Sequence, residues 1–419
     1  MNRTSSARPR IGLALAGGGP LGAIYEIGAL CALEEALSGI DFSDGHSYIG
    51  VYAGGFIAAG LAKGMRPREL CASFIENVGL ADDIFQPSVL MRRAWGEFAK
   101  RLASLPGLVT TASLRYAFTR RWLAGAIEGL GRALPTGLLS NRMIDVQSRK
   151  KFSVPGRSND FRQLKHKLVP VATDLDSGES APFGLPGLDN VPISMAVQAG
   201  SALPGLFPPV EIEGRHLVNG ALKKTLHASV LLDEGLDLLI CLNPLVSFDS
   251  TAATRHRVMA RGEERIPRLV DGGLPVVLSQ TFRALIHSRL ELGMKGYEHS
   301  HPGTTILLFE PDQRDPEMFL ANTFSYAQRR MLAEHAYQRT RQMLRSRRSS
   351  LNRQLARHGV QVDDAVLDDA NRRLLRPAKP DGRNASRALR RLEEVLDDLE
   401  TTLTAWPPQP TLQPTLVPR

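Results

Sequence analysis

The sequence predicts an α/β fold with a largely parallel central sheet, and two neighbouring segments carry this prediction. Residues 11–16 form a short apolar run typical of a buried strand, a glycine loop follows, and residues 23–37 have the apolar face of a helix. Residues 47–51 and 54–63 repeat the same order of strand, glycine turn and helix. Two such units in succession favour parallel strands covered by helices.

Further elements follow the same criteria. The predicted buried strands are 168–172 and 236–242, a short helix is expected at 193–200, and Leu217-Val218 leads into a turn at Asn219. The pattern changes after about residue 245. There the sequence predicts an amphipathic helix at 276–297, an additional edge strand at 304–309 and a long arginine-rich helix at 327–357.

The composition permits a large core and favours anionic partners. The chain has 419 residues, 43% of them hydrophobic, and a net charge of +9. Such a charge attracts phospholipid surfaces or nucleic acid. Much of the excess is arginine in the late helical segments, so a solvated basic surface is the simpler explanation. No nucleic-acid module is recognisable, and no nucleic-acid partner is expected.

Cysteine usage and the N-terminus point to the cytoplasm. Cys31, Cys71 and Cys241 are far apart and odd in number, which fits neither a disulfide framework nor a zinc site. No cofactor or metal is therefore expected. Residues 1–10 are polar and basic without the apolar stretch of a signal peptide, and no apolar run approaches the roughly 20 residues of a spanning helix. Any membrane contact would be peripheral.

The glycine loop follows the first strand and comprises Gly17, Gly18, Gly19 and Gly22. Between a strand and a helix, such a loop can present several backbone N–H groups to an anion. It would serve as an oxyanion hole or a phosphate cradle, although no Lys-Ser/Thr follows as in a P-loop. A tight turn that needs glycine is the alternative explanation.

The second glycine turn has the frame of a nucleophile elbow. Gly50-Val51-Tyr52-Ala53-Gly54 matches G-x-S-x-G, with Tyr52 in the place of the serine. Gly50 and Gly54 would make room for an exposed nucleophile. Close packing of a helix on a strand is the alternative explanation.

A third motif, Asn219-Gly220-Ala221, lies at a predicted strand end. An aspartate at position 219 could act as a general base there. The alternative explanation of the motif is an ordinary Asn-Gly turn without a catalytic role.

Together, these motifs resemble the patatin-like phospholipase family in their order and spacing. That family has a glycine-rich oxyanion loop, a G-x-S-x-G elbow and an Asp-Gly-Gly/Ala turn that completes a Ser-Asp dyad. The segments at 171–175 and 201–209 are similar to the family as well, whereas Leu21 stands where many members carry Arg or Lys. The resemblance covers roughly residues 10–245. It implies a three-layer fold and ester hydrolysis by serine attack with aspartate as base. The sequence pattern after residue 245 adds a helical C-terminal elaboration to this fold.

The departures from the family pattern fall on the chemistry. The serine position is Tyr52 and the aspartate position is Asn219. A tyrosine oxygen lies about 4 Å further from its Cα than a serine oxygen, and a misplacement of about 1 Å can cost a hundredfold in rate. A carboxamide takes no proton at neutral pH. We therefore predict an impaired or inactive lipid acyl-hydrolase that still binds a lipid or acyl ester.

Two alternatives stay open at this point. One is an active lipid acyl hydrolase, a phospholipase A or esterase, that uses Tyr52 or another residue. The other is a non-catalytic binder of anionic membrane surfaces.

Other residues that could replace the dyad are expected to have different roles. Ser201 lacks an elbow and is predicted to be structural, and Ser47 lies on a strand. His216 and His227 flank the Asn219 turn and are expected to be surface or loop residues. Asp174 and Asp176 are predicted to close a turn.

The sequence also predicts how the chain is divided. The expected parts are a basic tail at 1–10, a patatin-like domain at 11–245 with a helical insertion at about 83–150, a helical extension at 246–375, a linker at 376–383, an amphipathic helix at 384–405 and a proline-rich disordered tail at 406–419. Leucines repeating within 389–403 could support self-association.

Overall fold

A computed structural model describes residues 8–78, 103, 134–154, 156–250, 268–320 and 328–375. Most of the predicted insertion at 83–150 lies outside the described residues. So do the predicted linker, the amphipathic helix with its self-association segment 389–403, and the C-terminal tail. The elements below belong to one unit that ends at Leu374. The predicted domain boundaries stay predictions.

The central sheet is mixed and mostly parallel, as predicted. Its strands run in the order β6-β7-β4-β3-β1-β8-β9, with β5 beside β4, and a separate ribbon pairs β2 with β10. Strands β4, β3, β1, β8 and β9 are parallel to one another, whereas β5 and β7 pair antiparallel with β4, and β6 pairs antiparallel with β7. The strands are β1 Ile11–Leu15, β2 Leu37–Ser38, β3 Ser47–Val51, β4 Lys167–Asp174, β5 Ser180–Pro182, β6 Val210–Ile212, β7 Arg215–Asn219, β8 Leu238–Leu242, β9 Thr305–Phe309 and β10 Gln361–Val362.

Eleven α-helices occur within the described residues. They are α1 Gly19–Ala36, α2 Ala53–Ala62, α3 Pro67–Cys71, α4 Arg142–Phe152, α5 Ile193–Gly200, α6 Ser229–Leu232, α7 Gly273–Ser300, α8 Pro316–Leu320, α9 Arg329–Ser346, α10 Arg348–Leu355 and α11 Asp364–Asp368. No helix in the described part of the chain is both long enough and apolar enough to cross a bilayer.

The sheet is the middle of three layers. Alternate strand residues such as Ala14, Ile49 and Cys241 form one buried core with Leu231 of α6 and Leu290 of α7. Because side chains alternate along a strand, the intervening residues point to the other face.

The late helix α9 packs directly on α1. A Cβ at Gly28 would lie 2.5 Å from the Ala333 carbonyl oxygen, so the two helices approach closely. The Tyr337 hydroxyl donates to Glu35 Oε2 at 2.6 Å across the same contact. Helix α9 therefore covers part of α1.

Most predicted elements lie within three residues of the observed bounds, including the edge strand β9. Three predictions were wrong in part. The helix expected at 23–37 begins at Gly19, because the glycine loop already contains its first turn. The helix expected at 327–357 is broken at Arg347, whose ψ of 8° leaves the helical range.

The third error concerns the helix expected at 276–297, which is observed as α7. An amphipathic helix of a globular protein has a polar solvent-facing side. The solvent-facing side of α7 instead carries exposed apolar residues, among them Leu274 and Phe282.

Candidate functional site

Tyr52 alone connects strand β3 to helix α2. Its φ of 57° and ψ of −121° lie in a region where residues other than glycine are rarely found. Such a conformation costs on the order of 1–3 kcal/mol and persists only where the surroundings impose it. The turn therefore has the strained backbone that a nucleophile elbow requires.

The glycines on either side of Tyr52 permit this turn. A Cβ at Gly50 would lie 2.4 Å from the Gly54 carbonyl oxygen, and a Cβ at Gly54 would lie 2.4 Å from the Ala16 carbonyl oxygen. Neither position has room for a side chain. The same glycine contacts therefore produce both the close packing of helix on strand and the geometry of the elbow.

The glycine loop lies beside the elbow, because β1 and β3 are parallel neighbours. Helix α1 begins at Gly19, four residues after β1 ends at Leu15, so the N–H groups of its first turn lie near this end of the sheet. The Gly22 N–H donates to the Gly18 carbonyl at 3.0 Å and is used within the helix. Gly22 also lies against Pro244, since a Cβ there would be 3.1 Å from Pro244 Cγ.

The Tyr52 ring lies along this loop. A Cβ at Gly17 would be 2.9 Å from Tyr52 Cβ, and a Cβ at Gly19 would be 3.3 Å from Tyr52 Oη. No described residue forms a hydrogen bond with Oη. The side chain is half-buried, and burial raises its pKa to about 12. The phenol is therefore neutral near pH 7.

Asn219 ends strand β7 and is buried. Its Oδ1 accepts a hydrogen bond from the Ala221 N–H at 2.8 Å, and its own N–H donates to the Ala202 carbonyl at 3.0 Å. The side chain thereby caps the short 3-10 turn Gly220–Leu222. This is the ordinary Asn-Gly turn that was the alternative explanation of the motif.

The sheet brings the elbow and the Asn219 turn together. Val51 pairs with Val171, and the next residue of β4, Ala172, pairs with Asn219. A Cβ at Gly220 would lie 3.3 Å from Val51 Cγ1, one residue before Tyr52. All three predicted motifs therefore meet at one end of the sheet, beside the C-terminal ends of the parallel strands β1 and β3.

Comparison with known families agrees with this arrangement. Residues 13–232, more than half of the 419-residue chain, match the family described as patatin-like phospholipase. The chain belongs to the patatin-like phospholipase family. The fold and the order of the motifs are those expected from the resemblance.

Among solved structures, similar chains include two bacterial proteins. VipD from Legionella pneumophila is 16% identical with a TM-score of 0.33, and the match covers 79% of this chain and 68% of VipD. ExoU from Pseudomonas aeruginosa, solved in full-length form with SpcU, is 15% identical with a TM-score of 0.26. That match covers 69% of this chain and 53% of ExoU.

His227 is a residue of this patatin-like site whose place the sequence did not reveal. It is in a loop, as predicted, but its side chain is buried rather than at the surface. Its Nε2 lies 3.0 Å from the Gly220 carbonyl oxygen, and since a carbonyl only accepts, Nε2 carries the proton. Burial lowers the pKa of His227 to about 4. The neutral imidazole therefore braces the Asn219 turn; its nearness in sequence was the only signal.

Two other polar candidates, Ser201 and Asp174, have structural partners, and Ser47 lies far from the elbow residue. The Ser201 hydroxyl donates to the Val197 carbonyl at 2.7 Å, in agreement with a structural role. Ser47 lies at the opposite end of β3 from Tyr52. Asp174 accepts from the Asp176 N–H at 3.0 Å, so the predicted turn closure is confirmed.

His216 has an exposed side chain, as expected, and lies 3.4 Å from Asp176. Asp174 also accepts a hydrogen bond from Arg215 Nε at 2.9 Å, which lowers the pKa of this carboxyl. Asp174 is thus held in an ion pair with Arg215, and His216 lies at the surface.

Proposed function

We propose that this patatin-like protein binds a lipid or acyl ester without hydrolysing it. The observation that carries the proposal is the position of the Tyr52 ring along the glycine loop. In the family reaction, the loop N–H groups would hold the oxyanion that forms when serine attacks an ester carbonyl. Here an aromatic ring occupies the space in front of Gly17 and Gly19.

The chemistry of Tyr52 supports the same conclusion. A phenol with a pKa near 12 is almost fully protonated at neutral pH and is a poor nucleophile unless a base activates it. Asn219 cannot supply that base, since its Oδ1 accepts a hydrogen bond from Ala221 and a carboxamide takes no proton. Losses at residues that act together do not add, so either substitution alone can abolish turnover.

Lipid binding is proposed to survive because the framework around the dyad positions is retained. The strained turn at Tyr52, the close glycine contacts and the helix N-terminus at Gly19 are present.

A paired binding and hydrolysis assay tests this proposal. The full chain is titrated with a fluorescent long-chain fatty acid, and hydrolysis of a short p-nitrophenyl ester is followed in parallel. We expect saturable binding and no turnover above the buffer rate, with Tyr52→Phe behaving like the unaltered chain in hydrolysis. Turnover that disappears in Tyr52→Phe would instead establish the alternative of an active hydrolase. A folded chain that binds no acyl ligand contradicts the binding half of the proposal.

A second candidate function is docking on anionic membrane surfaces, favoured by the outer face of α7. Leu274 is 70% exposed and Leu285 is 56% exposed, and Leu278 and Phe282 are exposed beside them. At 3.6 residues per turn these side chains share one side of the helix. A contiguous exposed apolar face is typical of an interaction surface.

The opposite side of α7 contacts a loop that reaches the candidate site. The Gln280 side chain accepts from the Phe248 N–H at 3.2 Å and donates to the Phe248 carbonyl at 2.8 Å. The same loop contains Pro244, which packs on Gly18 and Gly22.

Vesicle flotation tests the membrane candidate. The chain is expected to float with anionic vesicles at low salt and less at high salt, because exposed charges are screened. The change Leu278→Glu plus Phe282→Glu should abolish flotation, whereas Met331→Glu, at a half-exposed position on α9, should not. Absence of binding at both salt concentrations excludes this function.

A further inference from the structure

A groove of about 650 Å³ runs between residues 223–233 and the second half of helix α7. Neither Tyr52 nor Asn219 lines it, so the groove is distinct from the candidate site. It begins directly after the Asn219 turn, since Lys223 follows the 3-10 turn Gly220–Leu222. Its volume is within the range of sites for small molecules, roughly 300–1,000 Å³.

The lining of the groove is largely apolar. Leu226, Leu290 and Tyr297 line it together with Gly293 and Gly296. A Cβ at Gly296 would meet no atom within 4 Å, and a Cβ at Gly293 would meet only the Tyr297 ring, at 3.9 Å. Packing therefore does not require glycine at either position, although glycine is unfavourable inside a helix. A side chain at either position would extend into the groove.

Positive charge is concentrated at one end of the groove. Lys223, Lys224 and Arg289 line that end. Arg289 uses one N–H to donate to the Leu222 carbonyl at 2.6 Å, and the Lys224 ammonium lies 3.3 Å from the Ser229 hydroxyl. Lys223 forms an ion pair with Glu179, which is itself largely exposed.

The opposite end has a different character. Asp233 is the one carboxylate among the residues that line the groove, and its Oδ1 lies 3.2 Å from His301 Nε2. From Arg289 to the end of α7 at Ser300 the helix rises roughly 16 Å, at about 1.5 Å per residue. The groove is thus long, apolar along its floor and basic at the end next to the Asn219 turn.

We propose that this groove binds a single-chain anionic amphiphile. The acyl chain would lie over Gly293 and Gly296, and the carboxylate or phosphate head would contact Lys224 and Arg289. A hydrocarbon chain matches the apolar floor, and one negative head matches the cations at one end. A fatty acid and a lysophospholipid share this chemistry. A second copy of the chain fits less well, because its own basic surface would meet these cations.

Stoichiometry of binding tests the groove separately from the proposed function. Under both proposals the unaltered full chain binds two equivalents of a fluorescent long-chain fatty acid, and Gly296→Leu, which fills the groove, binds one. If only the groove binds, the numbers are one and none. Equal stoichiometry in the two proteins overturns the inference, whatever the result for the candidate site.

The substitution is chosen so that folding is preserved. Leucine is a better helix former than glycine, and its Cβ meets no atom at position 296, so the melting temperature should stay the same or rise. Gly293→Leu is a second filling variant with the same expected loss. Ser288→Leu adds the same side chain at an exposed position of α7 that does not line the groove, and it should bind like the unaltered chain.

The head group is tested with three ligands of equal chain length, a fatty acid, a lysophosphatidic acid and a fatty alcohol. The two anionic ligands should occupy the groove at least tenfold more tightly than the alcohol. Lys224→Met should weaken the anionic ligands by about tenfold and leave the alcohol nearly unchanged, a difference of about 1.4 kcal/mol. The tighter anionic ligand identifies the preferred head group. Equal affinity for acid and alcohol contradicts the assigned role of the cations.

Discussion

The phenol oxygen of Tyr52 lies next to Gly19, where a Cβ would be only 3.3 Å away. The residue at the predicted nucleophile position therefore touches the loop expected to stabilise the oxyanion. The backbone at Tyr52 keeps the strained conformation of an elbow, and its side chain lies along the glycine loop.

This strain predicts an unusual order of stability at position 52. We expect Tyr52→Gly to be more stable than Tyr52→Ala by about 1–2 kcal/mol, because only glycine adopts the observed φ and ψ without cost. Both variants lose the ring, so that loss cancels in the comparison. Urea unfolding of the two proteins measures the difference.

The matched control is the pair Ser288→Gly and Ser288→Ala in the exposed part of α7. There alanine should be the more stable by about 1 kcal/mol, as in an ordinary helix. The same sign at both positions would show that the turn at Tyr52 is not strained.

The glycine frame predicts a sharp contrast between two adjacent residues. Gly54→Ala should destabilise the fold by at least about 2 kcal/mol, since its Cβ would lie 2.4 Å from the Ala16 carbonyl oxygen. Gly55→Ala should be neutral or stabilising by up to about 1 kcal/mol, because its nearest neighbour would be at 3.4 Å. Thermal and urea unfolding of the two variants decide; equal effects would contradict the close approach of α2 to β1.

His227 predicts a loss of stability in acid. Its pKa is about 4 in the folded protein and 6.5 when unperturbed, so the unfolded chain takes up a proton between these values and the folded chain does not. Well above pH 6.5 the residue is neutral in both states, so it does not make the free energy of unfolding depend on pH. On lowering the pH from 7.5 to 4.5 it should reduce the free energy of unfolding by about 2–3 kcal/mol.

The control for this prediction is His227→Gln, which keeps an N–H for the Gly220 carbonyl but does not titrate. The variant should show a pH dependence smaller by the same amount in urea unfolding. An unchanged pH dependence would mean that His227 is protonated in the folded state.

The parts of the fold that follow local rules were predictable from the sequence. Strand β3 is a buried apolar run, and Gly50 and Gly54 sit where only glycine fits, so spacing alone indicated both strand and turn. The start of α1 was missed because residues 19–22 include two glycines, which give no apolar periodicity. The break at Arg347 was missed because no glycine or proline marks it.

The details of the site depend on contacts between distant segments. The approach of the Tyr52 ring to Gly19 and the burial of His227 beside Gly220 arise when β1, β3 and β7 are assembled in one sheet. The apolar outer face of α7 could not be predicted from the sequence for a related reason. The sequence shows that Leu278 and Leu290 are apolar, but only packing shows which of them is buried.

The central claim, that Tyr52 and Asn219 are what prevent hydrolysis, is tested most directly by restoring both family residues. The turnover of a short p-nitrophenyl ester is measured for Tyr52→Ser plus Asn219→Asp, with Tyr52→Ala plus Asn219→Asp as the matched control that lacks a nucleophile. We predict a rate at least about a hundredfold above the unaltered chain for the first protein and none for the control. A folded serine-aspartate variant without turnover, or an unaltered chain that is equally active, would contradict the claim.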